Sequence, residues 1–360
     1  MRPLFTLLCL IPFLNSSAQI EFEHDGLVRT YFMDAPDPIP PGAPIVLVLH
    51  GYTSSAILIR TYSNWGDLAE EEGFVAVFPQ GTQDNFGVNH WNANTNNSDT
   101  NDHSFLVALV QSLQAEYNLS PECTYACGMS NGGYMSYSLA CEHPDVFSAI
   151  GSVTGVMSTA DEGCIPSEVV PVVHLHGTMD STVPYEGSDI NPLGGMDVPD
   201  VIEHWTGLMG TTTIEETPLP NQELIDLTSV DFIRYAGAPG GQEFHHYRVN
   251  GGGHAWFGAW GSQDVESTDV IWDFFSAQCA GGANVVASMH LPEPAIFQLS
   301  DGQLNVLEAC SVRALNVLGQ TAHSWPDFKA GDRINASEIK GHFLLQATTK
   351  NGRQQVMRIR

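Results

Sequence analysis

Residues 128–132 read GMSNG and fit the pattern G-x-S-x-G, with Ser130 at the centre. They follow a stretch typical of a strand and precede a helical pattern, which is the context of a nucleophile elbow. In such a turn the glycines let the backbone pass close to neighbouring strands, and the serine hydroxyl projects from the sheet. The motif predicts Ser130 as a nucleophile. A tight strand-to-helix turn without chemistry is the alternative interpretation.

A serine nucleophile needs two further groups to react at neutral pH. The hydroxyl needs a base, and the base needs a carboxylate that orients it. In folds with this elbow the chain order is serine, acid, histidine. Asp180 follows an apolar strand pattern, and His254 follows the next such strand on a loop that begins with three glycines. The sequence therefore predicts a catalytic triad of Ser130, Asp180 and His254.

The oxyanion of an acyl-transfer intermediate needs two backbone donors. The N–H of Asn131, directly after the nucleophile, is one candidate, and the N–H of Tyr52, after the first apolar strand, is the other. Trp91, Tyr185 and Trp256 are predicted on loops at the carboxyl edge of the sheet, where ligands bind in open α/β folds. We expect them to line an apolar substrate pocket, although core packing explains each of them equally well.

These residues must be positioned by a sheet, and the chain alternates apolar strand patterns with helical ones. This alternation predicts a mostly parallel sheet flanked by helices, the α/β-hydrolase fold, over residues 19–280. Asp102 is expected to cap the helix that begins before Phe105. The predicted strands are 21–32 (a hairpin), 45–49, 74–78, 124–127, 149–153, 169–175 and 243–249, and the predicted helices are 65–72, 105–113, 131–141, 201–208 and 269–275.

The N-terminus and the cysteines point to an exported protein. Residues 1–18 have a basic start, an apolar run and small residues at the end, which predicts a signal peptide, because the run is too short to cross a bilayer. Six cysteines remain after it, and an even number in an exported chain favours disulfides. Cys141–Cys164 is the preferred pair. No C-x-x-C pair is present, which argues against a zinc ribbon or a redox centre, and the loop 99–102 lacks the glycine and the distal glutamate of an EF-hand. We predict neither a metal site nor a cofactor.

Charge divides the chain into two parts. Residues 19–280 contain four basic and 35 acidic residues, whereas residues 281–360 contain eight basic and six acidic ones. The acidic part is expected to repel nucleic acid and anionic membrane surfaces, so neither is a predicted partner, and no segment after the signal peptide predicts a membrane span. Short alternating stretches after residue 280 predict a small, β-sandwich-like all-β module.

Several of these motifs together resemble a known family. The segments are 49–52 (LHGY), 128–133 (GMSNGG), 139–141 (LAC), 175–180 (LHGTMD) and 251–254 (GGGH), with Asp102 before its helix. They resemble the polyhydroxybutyrate depolymerases and feruloyl esterases of the carbohydrate esterase family 1 type. That resemblance implies the same triad of Ser130, Asp180 and His254. Family members often carry H-x-W-P-G, whereas residues 254–258 here read HAWFG.

The C-terminal part resembles the sorting domain of the type IX secretion system. Residues 312–320 (VRALNVLGQ) are similar to its Leu-Gly-Gln strand and turn, and residues 341–345 with the basic end at Arg360 are similar to its closing strands. The resemblance implies the type IX machinery as a partner and a secreted or cell-surface location. Residues 281–360 are accordingly expected to serve secretion and sorting.

The predicted function is that of a secreted serine carboxylic-ester hydrolase that acts through an acyl-enzyme. Feruloyl or related plant-polysaccharide esters are the favoured substrates, since aromatic walls suit a flat acyl group and an acidic body does not repel a neutral polymer. A poly(3-hydroxybutyrate)-type polyester is the alternative substrate. A non-catalytic surface protein that binds a polymer is the alternative from another class.

Overall fold

The computed structural model describes residues 19–95, 98–187, 194–223, 225–279, 297–300, 303–306, 309–315, 321–330, 332–335, 343–349 and 354–359. The chain forms two compact units, Met1–Met289 and His290–Arg360. The predicted signal peptide, the predicted boundary after residue 280 and the LGQ motif at 318–320 lie outside the described residues.

The first unit is built on a ten-stranded sheet in the order β1-β2-β4-β3-β5-β6-β7-β10-β9-β8. Its six central strands, from β4 to β10, are parallel, and two antiparallel strands complete each edge. The strands are β1 (Ile20–His24), β2 (Leu27–Asp34), β3 (Ile45–Leu49), β4 (Val75–Pro79), β5 (Thr124–Met129), β6 (Ala149–Val153), β7 (Val172–Gly177), β8 (Thr213–Pro218), β9 (Ser229–Ala236) and β10 (Phe244–Asn250). The predicted mostly parallel sheet is confirmed.

In the described part of this unit, six α-helices flank the sheet: α1 (Ala56–Tyr62), α2 (Trp65–Glu72), α3 (Asp102–Tyr117), α4 (Asn131–Glu142), α5 (Val198–Met209) and α6 (Ser267–Cys279). No helix among the described residues has the length and apolar character needed to cross a membrane. Successive side chains of a strand point to opposite faces, so β3 contributes to two cores. Ile45, Leu47 and Leu49 enter one core, and Val46 and Val48 enter the other. A strand covered on both faces explains the unbroken apolar run.

Two predictions about local structure need correction. Asp102 is the first residue of α3 rather than its cap, because the side chain of Asn101 accepts the hydrogen bond from Ser104 N–H. Asp102 instead pairs with Arg29 at 2.7 Å, and both side chains are buried. Helix α1 and strands β8 and β9 were absent from the sequence prediction. Strand β8 is almost wholly exposed and carries two glutamates, so it lacks the apolar pattern that predicts a strand.

Two disulfides close long loops in the first unit. Cys141 at the end of α4 bonds to Cys164, which confirms the predicted pair. Cys123 bonds to Cys279, and so joins the turn before β5 to the last residue of α6. Cys127 is a buried free thiol in β5.

The second unit contains two antiparallel sheets among its described residues. The first has the order β11-β12-β15, and the second has the order β14-β13-β16-β17. The strands are β11 (Phe297–Ser300), β12 (Gln303–Val306), β13 (Cys310–Leu315), β14 (Thr321–Phe328), β15 (Arg333–Asn335), β16 (Phe343–Thr349) and β17 (Gln354–Ile359).

Candidate active site

Ser130 lies at a sharp turn between a central strand and a helix. Strand β5 ends at Met129, α4 begins at Asn131, and Ser130 has φ 53° and ψ −121°. This positive φ is unusual for a residue with a side chain and marks a strained turn. A Cβ on Gly132 would lie 2.1 Å from the carbonyl oxygen of Leu49, so only glycine lets the first turn of α4 approach β3 this closely.

Asp180 and His254 meet at the carboxyl ends of neighbouring strands. Asp180 follows β7, His254 follows β10, and Asp180 Oδ2 lies 2.7 Å from His254 Nδ1. Asp180 Oδ1 accepts the N–H groups of Thr182 at 2.8 Å and Val183 at 2.9 Å. Burial raises the pKa of Asp180, but the hydrogen bond and charge of His254, the N–H of Val183 and the charge of His176 together hold the pKa below its ordinary value. This carboxylate is therefore ionised and fully hydrogen-bonded.

Tyr62 connects the surroundings of Ser130 with those of His254. Its hydroxyl donates to Met129 Sδ at 3.5 Å, and its ring meets Trp260 edge-on at 4.8 Å. The indole N–H of Trp260 in turn donates to the carbonyl oxygen of His254 at 3.5 Å. In the described part of the chain Ser130 Oγ makes no hydrogen bond, and such contacts are often long before substrate binds.

The two predicted oxyanion donors lie beside the nucleophile. A Cβ on Gly51 would lie 3.4 Å from Ser130 Cβ, so the turn that carries Tyr52 passes against Ser130. Asn131 begins α4, where backbone N–H groups have no partner within the helix. The side chain of Tyr52 points to another contact, because its hydroxyl donates to Asp84 at 2.7 Å. Both N–H groups are thus candidates for an oxyanion hole.

Trp91 joins the segments that carry these two donors. Its backbone N–H donates to Asn131 Oδ1 at 2.6 Å, and its carbonyl oxygen accepts from Asn131 Nδ2 at 3.0 Å. Its indole N–H donates to the carbonyl oxygen of His50 at 2.9 Å. The side chain is fully buried and offers no surface to a substrate. Trp91 therefore holds together the two segments that carry the candidate donors, and it does not line the site.

The other two predicted pocket residues pack against other parts of the first unit. Trp256 is 1% exposed, and its indole N–H donates to Thr268 at 3.1 Å, so it packs in the core. Tyr185 lines a separate cleft of about 360 Å³ with Tyr235, Arg248 and residues of α5, and its hydroxyl lies 2.9 Å from His246 Nε2. No triad residue lines that cleft.

Sequence reasoning missed the aromatic surface that does adjoin the site. Trp260 is 39% exposed, Tyr62 lies half-buried beside it, and Met179, the residue before Asp180, is 72% exposed. Trp260 could have been found, since it lies six residues after His254 on the same loop. No sequence pattern identified Tyr62, because the end of α1 is brought near Trp260 only when the sheet and its helices pack together.

Four histidines of the first unit are buried and neutral. Burial lowers the pKa of His50 to about 4, of His176 to about 4 and of His246 to about 3. Burial also lowers the pKa of His174 well below its ordinary value. His50 accepts the N–H of Gly81 on Nε2, which leaves its Nδ1 proton for the carbonyl oxygen of Gly51 at 2.8 Å. The turn before Tyr52 is held in this way.

A mostly parallel sheet with a serine elbow after a central strand, and an aspartate and a histidine after later strands, defines an α/β-hydrolase. The esterase family described as "Putative esterase" matches residues 35–206, a range that includes Ser130 and Asp180. Residues 35–206 of the chain match this esterase family, in agreement with the resemblance to feruloyl esterases and polyhydroxybutyrate depolymerases.

Three relatives illustrate the range of this similarity. "Putative esterase NocK" of Nocardia uniformis subsp. tsuyamanensis is 26% identical over 250 residues, which is 65% of this chain and 72% of that protein. Feruloyl esterase B of Piromyces equi is 27% identical over 59% of this chain and 40% of its own length. Poly(3-hydroxybutyrate) depolymerase of Ralstonia pickettii is 32% identical over 39% of this chain and 32% of its own. The chain thus spans less than half of the last two proteins.

Acid should destabilise the first unit through its neutral histidines. The unfolded chain binds protons on these side chains below about pH 6.5, whereas the folded chain does not until about pH 4 or 3. The free energy of unfolding should therefore fall as the pH drops from about 6.5 to 4, by up to ~1.4 kcal/mol per pH unit for each histidine. Urea titrations measure this slope.

The variant His246→Gln isolates one of these groups, since glutamine keeps a donor and an acceptor but does not titrate. Over that pH range, the free energy of unfolding of this variant should change with pH less steeply than that of the unmodified protein, by about 1.4 kcal/mol per pH unit. Parallel slopes for the two proteins would contradict the assignment of a neutral, buried His246.

Proposed function

We propose that this esterase is a serine carboxylic-ester hydrolase with Ser130 as nucleophile, His254 as base and Asp180 as the acid of the triad. The observation that carries the proposal is the 2.7 Å hydrogen bond between Asp180 Oδ2 and His254 Nδ1, together with the strained elbow at Ser130. Because Nδ1–H donates to the carboxylate, the neutral ring presents Nε2 as a proton acceptor.

The reaction follows from these roles. His254 Nε2 takes the proton of Ser130 as Oγ attacks the ester carbonyl carbon, and Asp180 stabilises the imidazolium that forms. The oxyanion accepts hydrogen bonds from Tyr52 N–H and Asn131 N–H. The intermediate then expels the alcohol, which receives the proton from His254, and an acyl-Ser130 remains. Water deprotonated by His254 attacks the acyl group and releases the acid and the free enzyme.

Feruloyl or related plant-polysaccharide esters are the proposed substrates. The exposed ring of Trp260, which packs edge-on against the half-buried Tyr62, supports this choice, because a planar aromatic acyl group gains from edge-on or stacked contact with such a ring. Feruloyl Esterase B of Piromyces equi is among the relatives. A hydroxybutyrate polyester is the second candidate, supported by the relative from Ralstonia pickettii.

Export through the type IX machinery is the proposed route to the substrate. It is supported by the pattern of residues 1–18, by the change of charge after residue 280 and by the motifs of residues 312–320 and 341–345. Two disulfides in the first unit fit an oxidising location.

Loss of the Ser130 hydroxyl should abolish turnover. Ser130→Ala should lower kcat on p-nitrophenyl acetate by about 10⁴-fold or more, as for other triads, since the triad acts as a unit. Ser112→Ala, on the exposed side of α3, is the matched control and should keep full activity. A fluorophosphonate should label Ser130 in the unmodified protein. Labelling of a different serine, or full activity of Ser130→Ala, would refute the triad and favour the polymer-binding alternative.

Removal of the aromatic surface should act on aromatic substrates selectively. Trp260→Ala should lower kcat/KM on methyl ferulate by about tenfold, which corresponds to ~1.4 kcal/mol of lost ring contact, and should change kcat/KM on p-nitrophenyl acetate by less than about twofold. Phe86→Ala, at a ring that is 81% exposed on a different loop, is the control. Equal losses on both esters would contradict the role of Trp260. Turnover of a hydroxybutyrate oligomer without ferulate release would instead favour the polyester.

Export should leave a defined mature chain. The protein recovered from the medium or the cell surface should begin at Gln19 and should lack the sorting module after residue 280. Intact mass and N-terminal sequencing measure both ends. Retention of Met1 would contradict the signal peptide, and retention of Arg360 would contradict a cleaved sorting module.

A further inference from the structure

Three fully buried side chains stand in line behind the acid of the proposed triad. Tyr137 of α4 lies with its hydroxyl 2.7 Å from His174 Nδ1, and His174 Nε2 lies 3.1 Å from His176 Nδ1. His176 Nε2 lies 2.9 Å from the carbonyl oxygen of Val183 and 3.6 Å from Asp180 Oδ2. The line therefore begins in the core and ends at the Asp180 carboxylate.

Hydrogen-bond chemistry permits only one arrangement of protons along this line. The carbonyl oxygen of Val183 can only accept, so the proton of His176 is on Nε2. A neutral imidazole carries a single N–H, so His176 Nδ1 accepts and His174 Nε2 donates. His174 Nδ1 must then accept from Tyr137, whose hydroxyl is a donor. Every contact is satisfied, and each N–H points towards Asp180.

The backbone of Val183 connects this line to the carboxylate. Its carbonyl oxygen accepts from His176, and its N–H donates to Asp180 Oδ1 at 2.9 Å. The opposite oxygen of Asp180 holds His254. A shift of the Val183 backbone would therefore move the carboxylate and rotate the imidazole of His254, and errors of about 1 Å in such groups can cost 10²-fold in rate.

We propose that His176 is a positioning residue of the active site: with its proton held on Nε2 by the line through His174 to Tyr137, it fixes the Asp180–Val183 turn and so the orientation of His254. The proposal rests on the proposed function of Ser130, Asp180 and His254. It adds a role for residues that touch neither the substrate nor the reacting atoms.

Substitution of His176 separates this role from simple packing. His176→Leu removes the donor to Val183 and should lower kcat by about 10- to 100-fold, the usual effect of losing a residue that orients a ligand, with KM changed less than about twofold. His176→Gln retains a side-chain N–H and should recover most of kcat. If the role is only packing, both variants should lose stability and keep kcat.

A second pair of variants each removes one buried hydroxyl and keeps the ring, so that a failure to fold does not obscure the result. Tyr137→Phe removes only the terminal hydroxyl of the line and should lower kcat several-fold at unchanged KM. Tyr125→Phe is the matched control, because Tyr125 is a buried tyrosine whose hydroxyl has no hydrogen-bond partner among the described residues, and it should keep kcat. Equal kcat values for the two variants would overturn the proposal.

A spectroscopic measurement distinguishes failure of this proposal from failure of the proposed function. The Nδ1 proton of His254 in its short, charge-assisted hydrogen bond to Asp180 should give a far-downfield proton resonance, identified by its loss in His254→Gln. This signal requires no turnover. It should shift or vanish in His176→Leu and persist in His176→Gln and Tyr125→Phe. An unchanged signal in His176→Leu overturns the positioning role, whereas a protein that shows these effects but hydrolyses no ester overturns the proposed function alone.

Discussion

A carboxylate without contact with solvent organises the centre of this molecule. The side chain of Asp180 is completely buried, and an unpaired buried charge is strongly unfavourable. Two backbone N–H groups satisfy one of its oxygens, and His254 satisfies the other. Because these donors belong to the loops that follow β7 and β10, satisfying this one charge also fixes both loops at the edge of the sheet.

The opposite side of the site depends on a second buried charge. Arg29 and Asp102 form an ion pair at 2.7 Å in the interior, and Asp102 also accepts the N–H of Asn92 at 2.8 Å. Asn92 follows Trp91, whose contacts with His50 and Asn131 hold the two candidate oxyanion donors. These hydrogen bonds tie the long loop between β4 and α3 to the buried ion pair and to the segments of the candidate active site.

Neutral histidines satisfy hydrogen bonds in this interior without adding charge. An imidazole can donate at one nitrogen and accept at the other, so His50, His174 and His176 each bridge two partners while buried. The cost is sensitivity to acid, because the unfolded chain can protonate rings that the folded chain keeps neutral. Precise positioning of the site and loss of stability in acid therefore have the same physical origin.

Local sequence patterns determined much of this protein. The alternation of apolar strands and helices specified a parallel sheet, because strands such as β3 and β4, which are buried on both faces, are apolar throughout. The glycines around Ser130 marked the elbow, because no larger residue fits beside Leu49. The positions of Asp180 and His254 after their strands predicted a meeting at one edge of the sheet, since parallel strands end on the same side.

The tertiary structure decided which side chains adjoin the site. Trp91 and Trp256 have the residue type of a pocket wall, yet both are buried, whereas Trp260 is exposed and packs against the half-buried Tyr62. Asp102 has the position of a helix cap, yet its partner is Arg29, 73 residues away. Local patterns report on neighbours within a few residues along a helix or strand. Contacts between distant segments, and the exposure that results, depend on how the whole sheet and its loops pack.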